Sequence, residues 1–91
     1  MKFEWDEQKA KANLKKHKVS FEEAQTVFDD PLFLIFADPD HSLEERRFVI
    51  LGESNQTKLL VIAFTERDLV TRLISARKAT ATERKNYEEE I

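Results

Sequence analysis

Hydrophobic and polar positions change period twice along these 91 residues. From Glu7 to about His17 the chain is made of strong helix formers. Ala10, Leu14 and His17 fall at i, i+4 and i+7, a narrow inward stripe, while lysines occupy the other faces. Asp6 is the predicted N-cap, and Trp5 before it the staple of the first turn. Ser20 and Glu23 have the spacing of a capping box, which opens a second helix through about Phe28 with Ala24, Val27 and Phe28 on its apolar side. Asp29-Asp30-Pro31 ends that helix, because a residue before proline is pushed out of the α region.

Strand patterns then take over. Leu32–Phe36 is an apolar run, and Asp38 to Ser42 reads as a turn or loop. Arg46–Leu51, Leu59–Thr65 and Val70–Ala76 follow, with a polar, turn-like Gly52 to Thr57 between the first two. Four strands at hairpin spacing predict a largely antiparallel sheet. The central runs lack clean alternation, which predicts cover on both faces. Thr80 and Glu83 form another capping-box pair, opening a C-terminal helix to about Glu90 with Tyr87 as its main apolar contact. The predicted order is ααββββα, an α+β fold in one domain over residues 1–91, without repeats or linkers.

Composition narrows the class. One glycine and two prolines argue against a loop-dominated or disordered chain. The absence of cysteine removes disulfides and thiolate metal sites, and fits a reducing cytosol. The start MKFEWDEQK has no apolar signal core, and no apolar run approaches the roughly 20 residues of a membrane span. A cytoplasmic protein with no membrane association is the expectation. The net charge of −3 argues against a general nucleic-acid binder, but the charges are segregated. Residues 9–18 hold five lysines and no acid, and residues 67–85 hold six basic residues against two acids. Such segregation suits one face for RNA and another for a basic partner; it also occurs on ordinary solvated surfaces.

The stretch TERDLVTRLISARKAT, Thr65 to Thr80, concentrates the chemistry. Arg67 stands at the start of a strand, Arg72 within it, and Arg77 with Lys78 at its exit. Arginine is costly in a sheet unless something anionic meets it. The residues therefore point either to a phosphate-handling surface or to structural ion pairs with the many carboxylates.

Three blocks together have a familiar form: WDEQKAKANLKKH at Trp5 to His17, VSFEEA at Val19 to Ala24, and RLISARKAT at Arg72 to Thr80, with ERRF at Glu45 to Phe48 between them. In this order and over almost the whole chain they resemble the BrnT family of type II toxin–antitoxin toxins. The resemblance implies a RelE-like fold and a ribonuclease that cuts RNA and arrests translation and growth. It also implies neutralisation by a BrnA-like antitoxin, whose ribbon-helix-helix domain binds promoter DNA, with a toxin–antitoxin heterotetramer as the assembly. The chain departs from the family pattern at Lys18 and at Asp68-Leu69, where relatives often carry glycine.

RNA cleavage without a metal uses the ribose 2′-OH as nucleophile. The protein must then accept that proton, stabilise the phosphorane and protonate the leaving 5′-oxygen. Arg72 and Arg77, with Arg67 as a third donor, are the candidate phosphate clamp. Residues 72 and 77 are an odd number apart, so a regular strand sends them to opposite faces; one site needs a strand end or bulge near Ser75-Ala76. Arg77 has the alternative of anchoring the C-terminal helix.

His17 and Glu66 are the proton-transfer candidates. Their bland alternatives are a helix-end cap for His17 and an ion pair with a neighbouring arginine for Glu66. Lys9, Lys16 and Lys78 are candidate RNA contacts, or simply solvated lysines. Trp5 could stack a base but reads better as a core residue, and His41 reads as exposed in an acidic loop. Glu44 and Glu45 read as edge-strand charges. No metal constellation, Gly-rich phosphate loop or cofactor motif is visible. Two rival readings remain: a non-catalytic antitoxin-binding module that helps repress its own operon, and nucleic-acid binding without cleavage.

Overall fold

The computed structural model describes residues 1–38 and 46–90. Its elements are β1 (Lys2–Glu4), α1 (Glu7–His17), α2 (Phe21–Ala24) running into a 3-10 turn (Gln25–Asp29), β2 (Leu34–Ala37), β3 (Arg47–Glu53), β4 (Leu59–Arg67), β5 (Val70–Lys78) and α3 (Ala81–Glu89). The strands form one sheet in the order β1-β5-β4-β3-β2. Neighbours are antiparallel except β1, which runs parallel to β5 with Glu4 opposite Arg72. The α+β class and the antiparallel meander follow the sequence expectation. The fifth strand corrects it. Lys2–Glu4 is too short to show a period, and its partner lies at the far end of the chain.

The first helix starts as predicted. The Asp6 carboxylate accepts from the amides of Gln8 (2.8 Å) and Lys9 (3.1 Å), and Trp5 packs edge-on against Phe21. Its inward face differs. Leu14 is 49% exposed and Asn13 is buried instead. Asn13 Nδ2 donates to the carbonyls of Ala76 (2.8 Å) and Val19 (3.0 Å), and its Oδ1 accepts from the Ala76 amide (3.0 Å). A side-chain amide thus supplies both halves of a strand-like pairing to β5. Leucine at that place would strand three buried backbone groups. The helix ends at Lys18 in the left-handed region (φ 62°), whose amide bonds the Leu14 carbonyl. This is an αL cap, for which glycine is the usual residue.

The second helix is shorter than predicted, giving way to the 3-10 turn after Ala24. Only half of its capping box forms. Ser20 Oγ accepts from the Glu23 amide, but the Glu23 carboxylate turns inward, accepts from Ser54 Oγ (2.6 Å) and faces Lys58 Nζ (3.7 Å). Glu23 therefore ties α2 to the turn after β3. Asp30 makes a second tie: its carboxylate accepts from the amides of Leu32 and Glu53 and from the Tyr87 hydroxyl (2.6 Å). Burial raises the Asp30 pKa, and these hydrogen bonds outweigh it, leaving the carboxyl below its usual range. The same burial and bond push the Tyr87 hydroxyl up to about 12.

Strand β3 continues through Gly52 to Glu53, so the predicted polar turn begins only at Ser54. A Cβ on Gly52 would lie 2.9 Å from Val27 Cγ1 and 3.1 Å from Asp30 Oδ2, so the 3-10 turn can cross β3 only there. The predicted loop after Asp38, with His41, Glu44 and Glu45, lies outside the described residues.

The sheet is covered unequally. Phe21, Val27, Ile50, Ile62, Phe64 and Leu73 form the larger core under α1 and α2, with Phe3, Trp5 and Phe28 at its margin. Each such side chain contributes roughly 1.5–3 kcal/mol on full burial. On the other face Tyr87 of α3 forms a smaller core with Leu51, Leu59 and Val61, with Leu34, Val49 and Ala79 at its margin. The half of that face beyond Val61 has no helix over it among the described elements.

Candidate nucleic-acid interface

The open half-face owes its character to one irregularity. Phe64 pairs with Leu73 and Ala63 with Ser75, which leaves Ile74 without a partner on β4. Five residues separate Arg72 from Arg77 along β5, but their partners, Thr65 and Val61, are four ladder steps apart. An even number of steps returns the side chain to the same face. The bulge therefore puts Arg72 and Arg77 together on the α3 side. Leu73 and Ala76 confirm the shift, since both enter the larger core although three residues apart. The two arginines stand about 13 Å apart along the strand, at about 3.3 Å per step.

Register then assigns the neighbours. Thr65 lies between Arg47 of β3 and Arg72 of β5, and Arg72 lies beside Glu4 of β1. A row Arg47–Thr65–Arg72–Glu4 thus crosses four strands on one face. Thr65 is only 3% exposed, although among the described elements no helix lies over it. Arg72 Nη1 donates to Glu4 Oε2 at 2.7 Å, with both side chains about half exposed. Arg67, two steps beyond Thr65, belongs to the same face and is exposed at the hairpin end.

Arg77 closes the other end of this strip. Its two terminal nitrogens each donate to one oxygen of Glu83 at 2.8 Å. Glu83 also accepts from the Thr80 amide, completing the predicted capping box. The Arg77 guanidinium, then the Thr80 bonds, hold the Glu83 carboxyl at about 2 against the opposing effect of burial. Arg77 thus anchors α3 with a bidentate pair while standing on the arginine face.

Around the edge of β5, Lys9, Lys16 and His17 of α1 line a shallow cleft of about 230 Å³ with Asn13, Ile74 and Ser75. Ser75 pairs with Ala63, so it belongs to the arginine face and joins the cleft to the row. Two candidates are not brought in. Glu66 pairs with Thr71 and Lys78 with Leu60, and both pairs stand an odd number of steps from Thr65. They point to the opposite face. Three residues absent from the sequence-based candidates belong to the site or its frame: Glu4, Arg47 and Asn13. Nothing local marks the first two, because they become neighbours of Arg72 only through cross-strand pairing. Among the described residues no three His, Asp or Glu side chains gather as a metal site requires. No described helix is long and apolar enough to cross a membrane.

The fold and this face define a class: a small α+β domain whose half-open sheet presents arginines suited to a polyanion. The family model described as "Ribonuclease toxin, BrnT, of type II toxin-antitoxin system" matches residues 5–83, and the chain belongs to that family. It is thus a toxin of the type II toxin–antitoxin class, as the motif resemblance implied. A solved structure, the 1.1 Å crystal structure of the Brucella abortus ribonuclease toxin BrnT, superposes with a TM-score of 0.69 at 24% identity. The match covers 88% of this chain and 97% of that one, and the likeness is one of fold. Comparison with curated proteins finds no match.

Proposed function

We propose that this toxin is a metal-independent endoribonuclease whose active face is the row around Arg72. The observation that carries the reading is the cross-strand register, which sets Arg72 on one face with Arg47 and Arg67, and the bulge at Ile74, which brings Arg77 to the same face. In this reading the ribose 2′-oxygen attacks phosphorus and the bond to the 5′-oxygen breaks, leaving a 2′,3′-cyclic phosphate and a 5′-hydroxyl. Arg72 stabilises the charge that develops on the phosphorane oxygens. Glu4, 2.7 Å from Arg72, takes the 2′-OH proton. It fits this role better than Glu66, whose side chain leaves on the other face. His17, reached along the Ser75 side of the row, donates the proton to the leaving oxygen. Lys9 and Lys16 line the path of the RNA backbone beside it. The RNA is cut to stop translation and growth, and a BrnA-like antitoxin neutralises the chain.

The purified chain incubated with RNA tests this. Wild type is expected to yield cyclic-phosphate ends, at a rate unchanged by chelator. Arg72→Ala is expected to lose 10²-fold or more with its fold intact, and Glu4→Gln about 10²-fold or more together with the acid limb of the pH profile. An Arg72→Ala variant as active as wild type would falsify the assignment.

A further inference from the structure

The two edges of the sheet are treated differently. At the β5 edge, β1 pairs with Val70–Arg72 and the Asn13 amide occupies Ala76, so the backbone there is largely engaged. At the other edge, β2 pairs with β3 only, and among the described residues no strand lies along its outer side. Edge strands are normally blunted by charges, proline or a bulge. Leu34–Ala37 reads LIFA and carries none of these. Ile35 is 47% exposed and Phe36 50%. They sit on opposite faces of the strand, so the apolar surface wraps the edge rather than lining one side.

Beside this edge, Leu34, Ile35 and Phe36 line a cleft of about 340 Å³ with Asn86, Glu89 and Glu90 of the α3 end. The last turn of α3 contains no basic residue. Acids at a helix C-terminus oppose the helix dipole, so the isolated fold gains nothing from them there.

We propose that the β2 edge takes an extended segment of the antitoxin as a sixth strand. The segment alternates apolar side chains against Ile35 and Phe36, with a Lys or Arg reaching Glu89 and Glu90. Backbone pairing supplies affinity and the alternate side chains supply selectivity. The charge at the cleft decides between occupants. RNA and an anionic lipid surface are repelled by Glu89 and Glu90, and a second copy paired through β2 would bring two acidic α3 ends together. The inference rests on the antitoxin partnership proposed above and is independent of whether the chain cuts RNA.

The test uses the full chain and the protein encoded by the adjacent reading frame as probe. Affinity, melting temperature and amide exchange are measured for wild type, Ile35→Asp, and Glu89→Lys/Glu90→Lys. The expected result is protection of the β2 amides in the complex and at least 100-fold weaker binding for Ile35→Asp. The double lysine variant is expected to bind about 10-fold more weakly while melting no lower than wild type, because lysines suit that helix end; a structural role for these glutamates would lower both. Unchanged affinity in both variants, or unprotected β2 amides, overturns the proposal. So does wild-type self-association that Ile35→Asp abolishes, which would make the occupant a second copy. Failure of the probe to bind overturns the partnership and the docking together, whereas RNA cleavage by the isolated chain is read separately and bears only on the ribonuclease assignment.

Discussion

Among the described residues, four without glycine's freedom hold positive φ: Lys18 (62°), Thr57 (59°), Asp68 (52°) and Leu69 (68°). Asp68 and Leu69 are the two central residues of the β4–β5 hairpin, and positive φ at both is the type I′ turn that matches strand twist. Asp tolerates that region because its short polar side chain bonds locally; Leu69 has no such compensation and is 96% exposed. Lys18 meets the same penalty at the α1 cap. The left-handed conformation costs an L-residue roughly 1–2 kcal/mol, and glycine's greater freedom in the unfolded chain takes back about 0.5–1 kcal/mol. Lys18→Gly and Leu69→Gly are each expected to stabilise by about 0.5–1 kcal/mol, nearly additively because the sites share no contact. Urea midpoints measure this; a loss of stability at either site would mean that the side chain makes a contact worth more than the backbone strain.

Among the elements, α3 is the one held most by electrostatics. Tyr87 is its only buried residue, and the Arg77–Glu83 pair fastens its first turn. The Glu83 pKa of about 2 lies below its ordinary 4.5, so the pair contributes stability fully above 4.5 and loses it as pH falls towards 2. With Arg77 41% exposed, screening reduces this to about 1 kcal/mol. Wild type should therefore exceed Glu83→Gln by about that amount at pH 7, and by progressively less as pH falls from 4.5 through 2. A gap that stays the same between pH 7 and pH 2 would assign the loss to packing instead. Capping pairs such as Thr80 and Glu83 were legible in the sequence because both partners are local. So were the apolar runs of β4 and β5, which no helical period explains. The bulge at Ile74 was not, because an isoleucine reads the same in or out of register, and it is the bulge that decides which face Arg77 takes. β1 and the burial of Asn13 were hidden for a related reason: a three-residue strand has no period, and a polar residue inside a helix reads as exposed until its strand partner is known.

On the scale of the whole molecule, a chain of net charge −3 must concentrate its attraction for RNA on a small part of its surface. Pairing across β3, β4, β5 and β1 gathers Arg47, Arg67, Arg72 and Arg77 on one face, while Glu89 and Glu90 stand at the opposite edge of the sheet beside β2. Binding of single-stranded RNA should then weaken with salt, with a slope of about −0.7 in log–log terms for each phosphate contacted. Four arginines together with Lys9 and Lys16 predict a total slope near −4. Arg47 provides the sharper check, since it reaches the row from β3, outside the arginine-bearing strand that drew attention in the sequence. Arg47→Ala is expected to make the salt slope shallower by about 0.7. Arg84→Ala, on the exposed surface of α3, should leave the slope unchanged. Equal slopes for wild type and Arg47→Ala would confine the RNA path to the β5 side of Thr65, leaving Arg72 and the lysines of α1 to carry it.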